Sequence, residues 1–375
     1  MGEALPLIEV GGCARERGRA HGEALRDTIV ELLPAFFDHV ERTSRSHGVE
    51  PMPKDRTLAI ASTYVEPTER YAPDLVEEAR GVAEGAGVPF EEILALNAFL
   101  DLFDHLSPAF VGAGCTSLMV PGGLDGEGAL IAQNYDLPAI FAPAAALIRV
   151  KGDDSPDTIV YTSAGMLGCA GLNAAGIGVV INNLVPSDAG PGVPYTFVVR
   201  RILSTEQIGD AIGSVVTARR ASGTNYVLCD RHGEIYSLET SAGDYEVFCP
   251  FDGPLAHTNH YLADRLKPLD RRAWAERGQS IARWGRATRL LLASKNLTED
   301  ALKEMLCDHV NEPIGLCRHN QVHEGEMCGQ TICGIVLSSP ERRAWFARGP
   351  TCENEWVEYS LCDETDDEGG RLGFE

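Results

Sequence analysis

Gly114-Cys115-Thr116-Ser117 places a thiol directly after a bare glycine and before two hydroxyls, in a segment that then turns apolar through Leu118-Met119-Val120. Attack of the Cys115 sulfur on the Gly114 carbonyl would give an N→S acyl shift, and hydrolysis would then free Cys115 as a new N-terminus. The α-amine so exposed has an ordinary pKa of about 7.7–8.0, close to the pH at which a general base works best. N-terminal amines are one way to activate a neighbouring nucleophile. The same triplet also suits a buried turn, since free cysteine packs as a small core hydrophobe.

Downstream, Pro121 to Gly128 is a turn-rich connection and Ala129-Leu130-Ile131-Ala132-Gln133-Asn134-Tyr135-Asp136 a second apolar run, so the pair reads as a β-hairpin. The two-residue strand period puts Asn134 and Asp136 on one face, close to the strand that begins at Cys115. Cys-Thr-Ser, a turn, then Gln-Asn-Tyr-Asp resembles the start of the mature chain in the penicillin acyltransferase family (peptidase family C45), whose members are N-terminal-nucleophile hydrolases. The resemblance continues through Gly11-Gly12 with Arg15 to Gly22, Gly165-Met166-Leu167-Gly168, Gly171-Leu172-Asn173 and Gly176. It ends in His257-Thr258-Asn259-His260-Tyr261-Leu262 and in Gly329-Gln330-Thr331-Ile332-Cys333 to Gly349-Pro350-Thr351-Cys352.

The resemblance implies an α+β chain forming one domain over 1–375, a four-layer αββα sandwich of the N-terminal-nucleophile hydrolase type. Self-cleavage between Gly114 and Cys115 would leave a helical fragment 1–114 and a β-rich fragment 115–375, associated as an αβ heterodimer. Cys115 is then the nucleophile, Asp136 orients or activates its amine and thiol, and Asn259 donates from its amide to an oxyanion hole. Ser117 and Asn134 are supporting polar neighbours, and Ser241 and Thr331 bind substrate. From the residues alone, Asp136 is equally a strand-end turn residue, Asn259 an Asx turn, and Ser117 and Asn134 ordinary sheet residues. Where the family carries an arginine two positions before Gln330, this chain has Cys328. That removes a carboxylate clamp and weakens the case for penicillin-type substrates; Arg318, His319 and His323 are the neighbouring candidates for recognition.

Periodicity divides the chain at the same point. Apolar residues at three- and four-residue steps predict helices from residue 15 to about 97, whereas short runs at 159–161, 177–181, 226–228, 235–238 and 332–337 predict strands. Helices are expected over 195–203, 206–217, 281–294 and 298–309. A length of 375 residues with 44% hydrophobic content and 39 glycines supports a sizeable core with many turns. The formal charge of −23 argues against nucleic acid or an anionic membrane as partner, because both need clustered Lys and Arg. Part of that charge lies in the acidic tail, 363–375, expected to be disordered. There is no basic-then-apolar leader at Met1, no stretch of membrane-spanning length and no peroxisomal terminus in Gly373-Phe374-Glu375. Eleven cysteines without short-domain spacing suit a reducing cytoplasm.

Cys317, His319, His323, Cys328 and Cys333 raise the question of zinc, but their spacing is irregular and lacks a Cys-x-x-Cys pair. No metal ligand and no cofactor is therefore expected. A Cys-His couple with His257 or His260 is the nucleophile chemistry that needs no cut. The leading expectation is an autoprocessing cysteine amidohydrolase: Cys115 attacks the carbonyl of a small N-acyl amide, the amine leaves, and the thioester goes to water. If an amine or acyl-coenzyme A drains or feeds that thioester, the same site is an N-acyltransferase. Nothing reads as a basic cleft for coenzyme A phosphates, which favours hydrolysis. A non-catalytic or zinc-stabilised binding protein on the same fold is the reading from another class.

Overall fold

A computed structural model describes residues 4–46, 50–106, 114–124, 126–152, 155–320, 322–323, 326–327 and 329–362. The acidic tail and Cys328 lie outside these residues. The chain opens with a strand, β1 (Leu7–Val10), followed by seven helices: α1 (Ala14–Ala24), α2 (Arg26–Ser46), α3 (Lys54–Ser62), α4 (Val65–Tyr71), α5 (Pro73–Ala86), α6 (Phe90–Asn97) and α7 (Phe99–Leu106). The helices up to α6 fall where the three- and four-residue steps put them; α7 carries the helical region past the expected end near residue 97, and β1 is too short to show a period. Helices α1 and α5 meet backbone to backbone. Gly18 and Gly22 on one, and Gly81 and Gly85 on the other, each recur after four residues and so share a face. A Cβ at Gly18 would collide with the Glu78 carbonyl, and one at Gly85 with the Arg19 carbonyl.

The expected hairpin forms as β2 (Gly114–Val120) and β3 (Leu130–Leu137), paired antiparallel. Next come β4 (Ala145–Val150), β5 (Thr158–Ser163), β6 (Ala170–Asn173), β7 (Gly178–Leu184), α8 (Tyr195–Ile202), α9 (Ile208–Thr217), β8 (Gly223–Cys229), β9 (Ile235–Thr240) and β10 (Tyr245–Phe248). The last part holds β11 (Leu255–His257), α10 (Trp274–Ala293), α11 (Glu299–Leu306), β12 (Val322–His323), β13 (Glu326–Met327), β14 (Gln330–Ser338), β15 (Arg343–Arg348) and β16 (Trp356–Ser360). Two large sheets result, ordered β1-β4-β5-β6-β7-β8-β9-β10 and β11-β2-β3-β14-β15-β16. Strand β1 lies parallel to β4, so the segment before Cys115 supplies an edge of the larger sheet.

Side-chain alternation along the hairpin builds the layers. Cys115, Met119, Ile131 and Tyr135 enter the core between the two sheets, while Leu118, Val120, Leu130 and Ala132 enter a second core with Ala287 and Leu291 of α10 and Leu302 and Leu306 of α11. Both faces of β2 and β3 are therefore covered, and both strands are buried along their whole length. Helices α10 and α11 form one outer layer and the earlier helices the other, giving the four-layer αββα sandwich. Helix α10 begins seven residues before the expected 281. Its buried positions, Ser280, Arg283, Ala287 and Leu291, are half polar, so an apolar period cannot find its start. Among the described residues no helix is long and apolar enough to cross a membrane.

Candidate active site

Cys115 is the second residue of β2, opposite Tyr135, and its neighbour Gly114 stands opposite Asp136. On the far side of β3, Thr331 of β14 is also opposite Asp136, beside an irregularity in the pairing between Thr331 and Cys333. The hairpin and β14 thus bring Gly114, Cys115, Asp136 and Thr331 to one sheet end. Asn134 shares the Asp136 face as expected, but its Nδ2 donates to the carbonyls of Leu306 (2.7 Å) and Leu316 (2.8 Å), bracing the segment that follows α11.

Asn259, just past β11, reaches Cys115 from the other edge. Its Oδ1 accepts the backbone N–H of Cys115 at 2.8 Å and Arg283 Nη2 at 2.8 Å, while its Nδ2 donates to the Asn183 carbonyl at 3.1 Å. One of the two N–H groups of the Asn259 amide is therefore engaged by Asn183, while its oxygen is an acceptor for the Cys115 N–H. Arg283, projecting from α10, donates through Nη1 to the Cys115 carbonyl (2.8 Å) and Thr116 Oγ1 (3.0 Å). Asp136 Oδ1 accepts from Thr331 Oγ1 at 2.8 Å, and its Oδ2 lies 3.8 Å from Arg318 Nη1. Thr331 Oγ1 in turn accepts the Arg318 backbone N–H at 3.0 Å. Thr331 thus holds Asp136 and Arg318 in place.

These groups explain the glycine before the thiol. A Cβ at Gly114 would run into the Arg318 guanidinium and stand 3.3 Å from Arg283 Nη2 and 3.5 Å from Asp136 Oδ2. The Gly114–Cys115 peptide is consequently surrounded by two guanidiniums, a carboxylate and the Asn259 amide.

Burial sets the electrostatics. It pushes the Cys115 thiol up to about 12, with the Asp136 charge adding to the effect and the Asp136 backbone N–H and the two guanidiniums opposing it. It lifts Asp136 to about 6 against the pull of Arg318, Arg283 and the Thr331 hydroxyl. It lowers Arg283 to about 10, helped by Arg318, which leaves the guanidinium charged at neutral pH. Two cations facing one carboxylate favour negative charge developing on oxygen or sulfur. The thiol itself stays neutral until something takes its proton.

The remaining candidates divide. Ser117 faces the layer between the sheets with a buried hydroxyl that has no partner among the described residues, as do the hydroxyls of Tyr161 and Ser163 and the Asn182 amide nitrogen. Ser241 closes the turn between β9 and β10: its Oγ donates to Asp188 Oδ2 at 2.8 Å and accepts the Asp244 N–H at 3.0 Å, and none of these partners belongs to the group around Cys115. The histidines are committed elsewhere. Both His257 nitrogens face oxygens, Glu239 Oε1 at 2.6 Å and the Thr258 carbonyl at 2.8 Å, because β11 pairs His257 with Ser117 and not with Cys115. His260 Nδ1 meets Ser280 Oγ at 2.9 Å, and burial pulls the ring down to about 4. Among the described residues, the bonds of these two histidines lead away from the thiol.

Sequence reasoning missed Arg283, which no motif marks, and the support behind Asn259. Asn183 carries Asn259 on its carbonyl, and its own Nδ2 donates to Asp104 Oδ1 at 3.4 Å. Asp104 also accepts from Ser222 Oγ at 2.7 Å, and burial lifts it to about 7. Two acids in the apolar run Phe99-Leu100-Asp101-Leu102-Phe103-Asp104 were the available signal, since unpaired carboxylates are rarely placed inside a core.

A family model described as acyl-coenzyme A:6-aminopenicillanic acid acyl-transferase matches residues 124–351, a span that includes Asp136, Asn259, Arg283, Arg318 and Thr331 and begins after Cys115. The 40 kDa form of acyl-coenzyme A:6-aminopenicillanic-acid-acyltransferase from Emericella nidulans is 26% identical over 346 residues, 90% of this chain and 91% of its own. Protein dcd1A of Dictyostelium discoideum is 23% identical over 241 residues, 58% of this chain and 54% of its own. Among solved structures, a variant of the conjugated bile acid hydrolase from Clostridium perfringens aligns with a TM-score of 0.48 at 12% identity, over 65% of this chain and 92% of that one.

Proposed function

Because this chain belongs to the acyl-coenzyme A:6-aminopenicillanic acid acyl-transferase family, a family of enzymes, we propose that it is an autoprocessing cysteine amidohydrolase cleaving a small N-acyl compound through a thioester on Cys115. The observation that carries this reading is the Asn259 Oδ1 acceptor on the Cys115 nitrogen, with Arg283 alongside. In the intact chain that nitrogen is an amide. Once Gly114 is cut away it is an α-amine, still oriented by the same oxygen, and able to take the proton that the buried thiol otherwise keeps.

The groups around Gly114 serve both reactions in this reading. During self-cleavage the Gly114 carbonyl is the acyl group passed to Cys115 sulfur, and the thioester formed has the connectivity of the later acyl-enzyme. Arg318 and Arg283 then flank the carbon that becomes tetrahedral, and Asp136 holds their charge and steadies the ammonium that forms after proton transfer. The amine product leaves with a proton from the Cys115 ammonium, and the amine, again neutral, activates the water that releases the acid. The unpartnered hydroxyls of Ser117, Tyr161 and Ser163 give a substrate amide something to bond. An apolar cavity of about 240 Å³, lined by Met119, Leu262 and Trp284 among others, lies beside β2, with Met119 on the strand face that Cys115 shares, and suits a short acyl chain. Association of the two fragments is supported by the pairing of β1 with β4. A reducing, cytoplasmic setting belongs to the reading, because it keeps the nucleophile a thiol.

The family description favours a second outcome at the same intermediate, N-acyl transfer from acyl-coenzyme A or an amide to an amine. Mass spectrometry of the protein quenched during turnover of N-acyl amides tests the common step. The acyl mass is expected on the fragment beginning at Cys115 and absent from Cys115→Ala. Adding an amine then measures how the thioester divides between water and transfer. Turnover with no acyl mass on Cys115 would overturn the thioester route.

A further inference from the structure

Four side chains from three stretches converge behind Arg318. His309 follows α11, Cys317 and His319 flank Arg318 itself, and Cys352 comes from the turn between β15 and β16; their donor atoms all lie within 4.8 Å of one another. Cys317 Sγ is 3.7 Å from Cys352 Sγ, and His309 Nε2 is 3.0 Å from His319 Nε2. His319 Nε2 lies 3.3 Å from Cys352 Sγ and 4.0 Å from Cys317 Sγ. With zinc–sulfur bonds of about 2.3 Å and zinc–nitrogen bonds of about 2.0–2.1 Å, the edges of a tetrahedral site run from roughly 3.3 to 3.8 Å. The four measured separations, 3.0 to 4.0 Å, lie within a few tenths of an ångström of that range, with the sulfur pair longer than the nitrogen pair. A second feature agrees: His319 Nδ1 faces Glu353 Oε1 at 3.3 Å, the carboxylate contact that turns the other ring nitrogen toward a metal.

We propose that His309, Cys317, His319 and Cys352 form a structural Cys2His2 zinc site. Two thiolates and two imidazoles select zinc over the oxygen-seeking cations, and four protein ligands leave no open coordination position, so the metal stays out of the acyl chemistry. The proposal departs from the expectation of no metal ligand. Of the residues weighed from the sequence, only Cys317 and His319 belong to the site. Cys333 is buried in β14 with its thiol on the Gly334 carbonyl at 3.3 Å, and the His323 side chain and Cys328 lie outside the described residues. His309 and Cys352 replace them, brought in by tertiary packing across 33 residues in the case of His319 and Cys352.

The site has a structural task. Ligands on both sides of Arg318 fix its backbone, while its guanidinium points to Asp136 Oδ2 at 3.8 Å. The same junction is already tied by Asn134 and by Thr351 Oγ1, which donates to the Leu306 carbonyl at 2.8 Å. The metal therefore positions Arg318 beside Gly114 without touching a reacting atom.

The test is metal content of the folded, full-length protein produced with zinc in the medium. One zinc per chain is expected, with an X-ray absorption spectrum of two sulfur and two nitrogen neighbours. Cys317→Ser, Cys352→Ser and His309→Ala should each lose the metal, while Cys362→Ser, at an exposed thiol outside the cluster, keeps it. Chelation of the wild type should lower its melting temperature and zinc should restore it, a readout that holds even where a ligand variant fails to fold. A folded chain that takes up no zinc at one equivalent, zinc retained by the Cys317→Ser/Cys352→Ser double variant, or a native Cys317–Cys352 disulfide in unreduced peptide maps would each overturn the proposal.

Discussion

Asn259 Oδ1 accepts the backbone N–H of Cys115 at 2.8 Å across 144 residues of chain. The bond ties the Cys115 nitrogen to a side chain that is itself held by Arg283 and the Asn183 carbonyl, so the position of that nitrogen is set by groups distant in sequence.

Purified protein should separate on a denaturing gel into fragments 1–114 and 115–375, and Cys115→Ala should remain one chain. Gly114→Val should cut slowly or not at all, because its side chain would meet the Arg318 guanidinium. Intact mass checks all three. A fully active enzyme that stays uncut would end the N-terminal-nucleophile mechanism.

Replacing Asn259 with alanine should depress kcat by about 10²-fold while leaving KM little changed, the range seen when one polar group of an acyl-transfer site is deleted. Asn259→Asp keeps the acceptor on Cys115 and should lose less. If Asn259→Ala moved only KM, the side chain would belong to ground-state recognition.

Arg283→Ala leaves the buried Cys115 carbonyl and Thr116 hydroxyl without their donor. A hydrogen bond to a charged group contributes about 1.5–3 kcal/mol, so the melting temperature should fall along with cleavage. Arg283→Lys should not rescue either, since one ammonium cannot span Cys115, Thr116 and Asn259 as the guanidinium fork does. Wild-type cleavage and stability in the lysine variant would show that charge alone matters.

Asp136 sits at about 6, so its carboxylate is charged above that pH and protonated below it. Cleavage and turnover should fall as pH drops through about 6, and Asp136→Asn should be slow at every pH with that acid limb gone. A raised carboxyl pKa means the folded chain binds this proton more tightly than the unfolded one, so between the ordinary carboxylate value and about 6 acidification favours folding at this residue. The activity loss should therefore appear with the fold intact by circular dichroism. An acid limb that persists unchanged in Asp136→Asn would assign it to another group, with Asp104 the next to test.

The hairpin was legible because two apolar runs joined by a glycine-rich turn have one economical pairing, and that pairing alone puts Gly114 opposite Asp136. Cys115, Asp136, Asn259 and Thr331 could be singled out as residues, and the fold does bring these four to one strand end. What each of them bonds to was another matter. How the Asn259 amide is oriented depends on the Asn183 carbonyl and the Arg283 guanidinium, neither adjacent in sequence.

Arg283 and the His309, Cys317, His319 and Cys352 cluster show where sequence reading stopped. Helix α10 buries Ser280 and Arg283 on the stripe where an apolar period looks for hydrophobes, so the signal that finds helices hides the most useful residue on this one. The four metal-binding candidates obey no fixed spacing, because Cys352 arrives only through the pairing of β14 with β15 and β15 with β16. Period and turn chemistry are local properties, written in neighbouring residues, and they determined the hairpin and most of the strands and helices, whereas the glycine before the thiol answers to Arg318 and Arg283, which only the fold brings beside it. Which charged groups could share one desolvated site was decided only in three dimensions, since burying Arg283, Arg318 and Asp136 is tolerable only where each finds its partners across the layers of the fold.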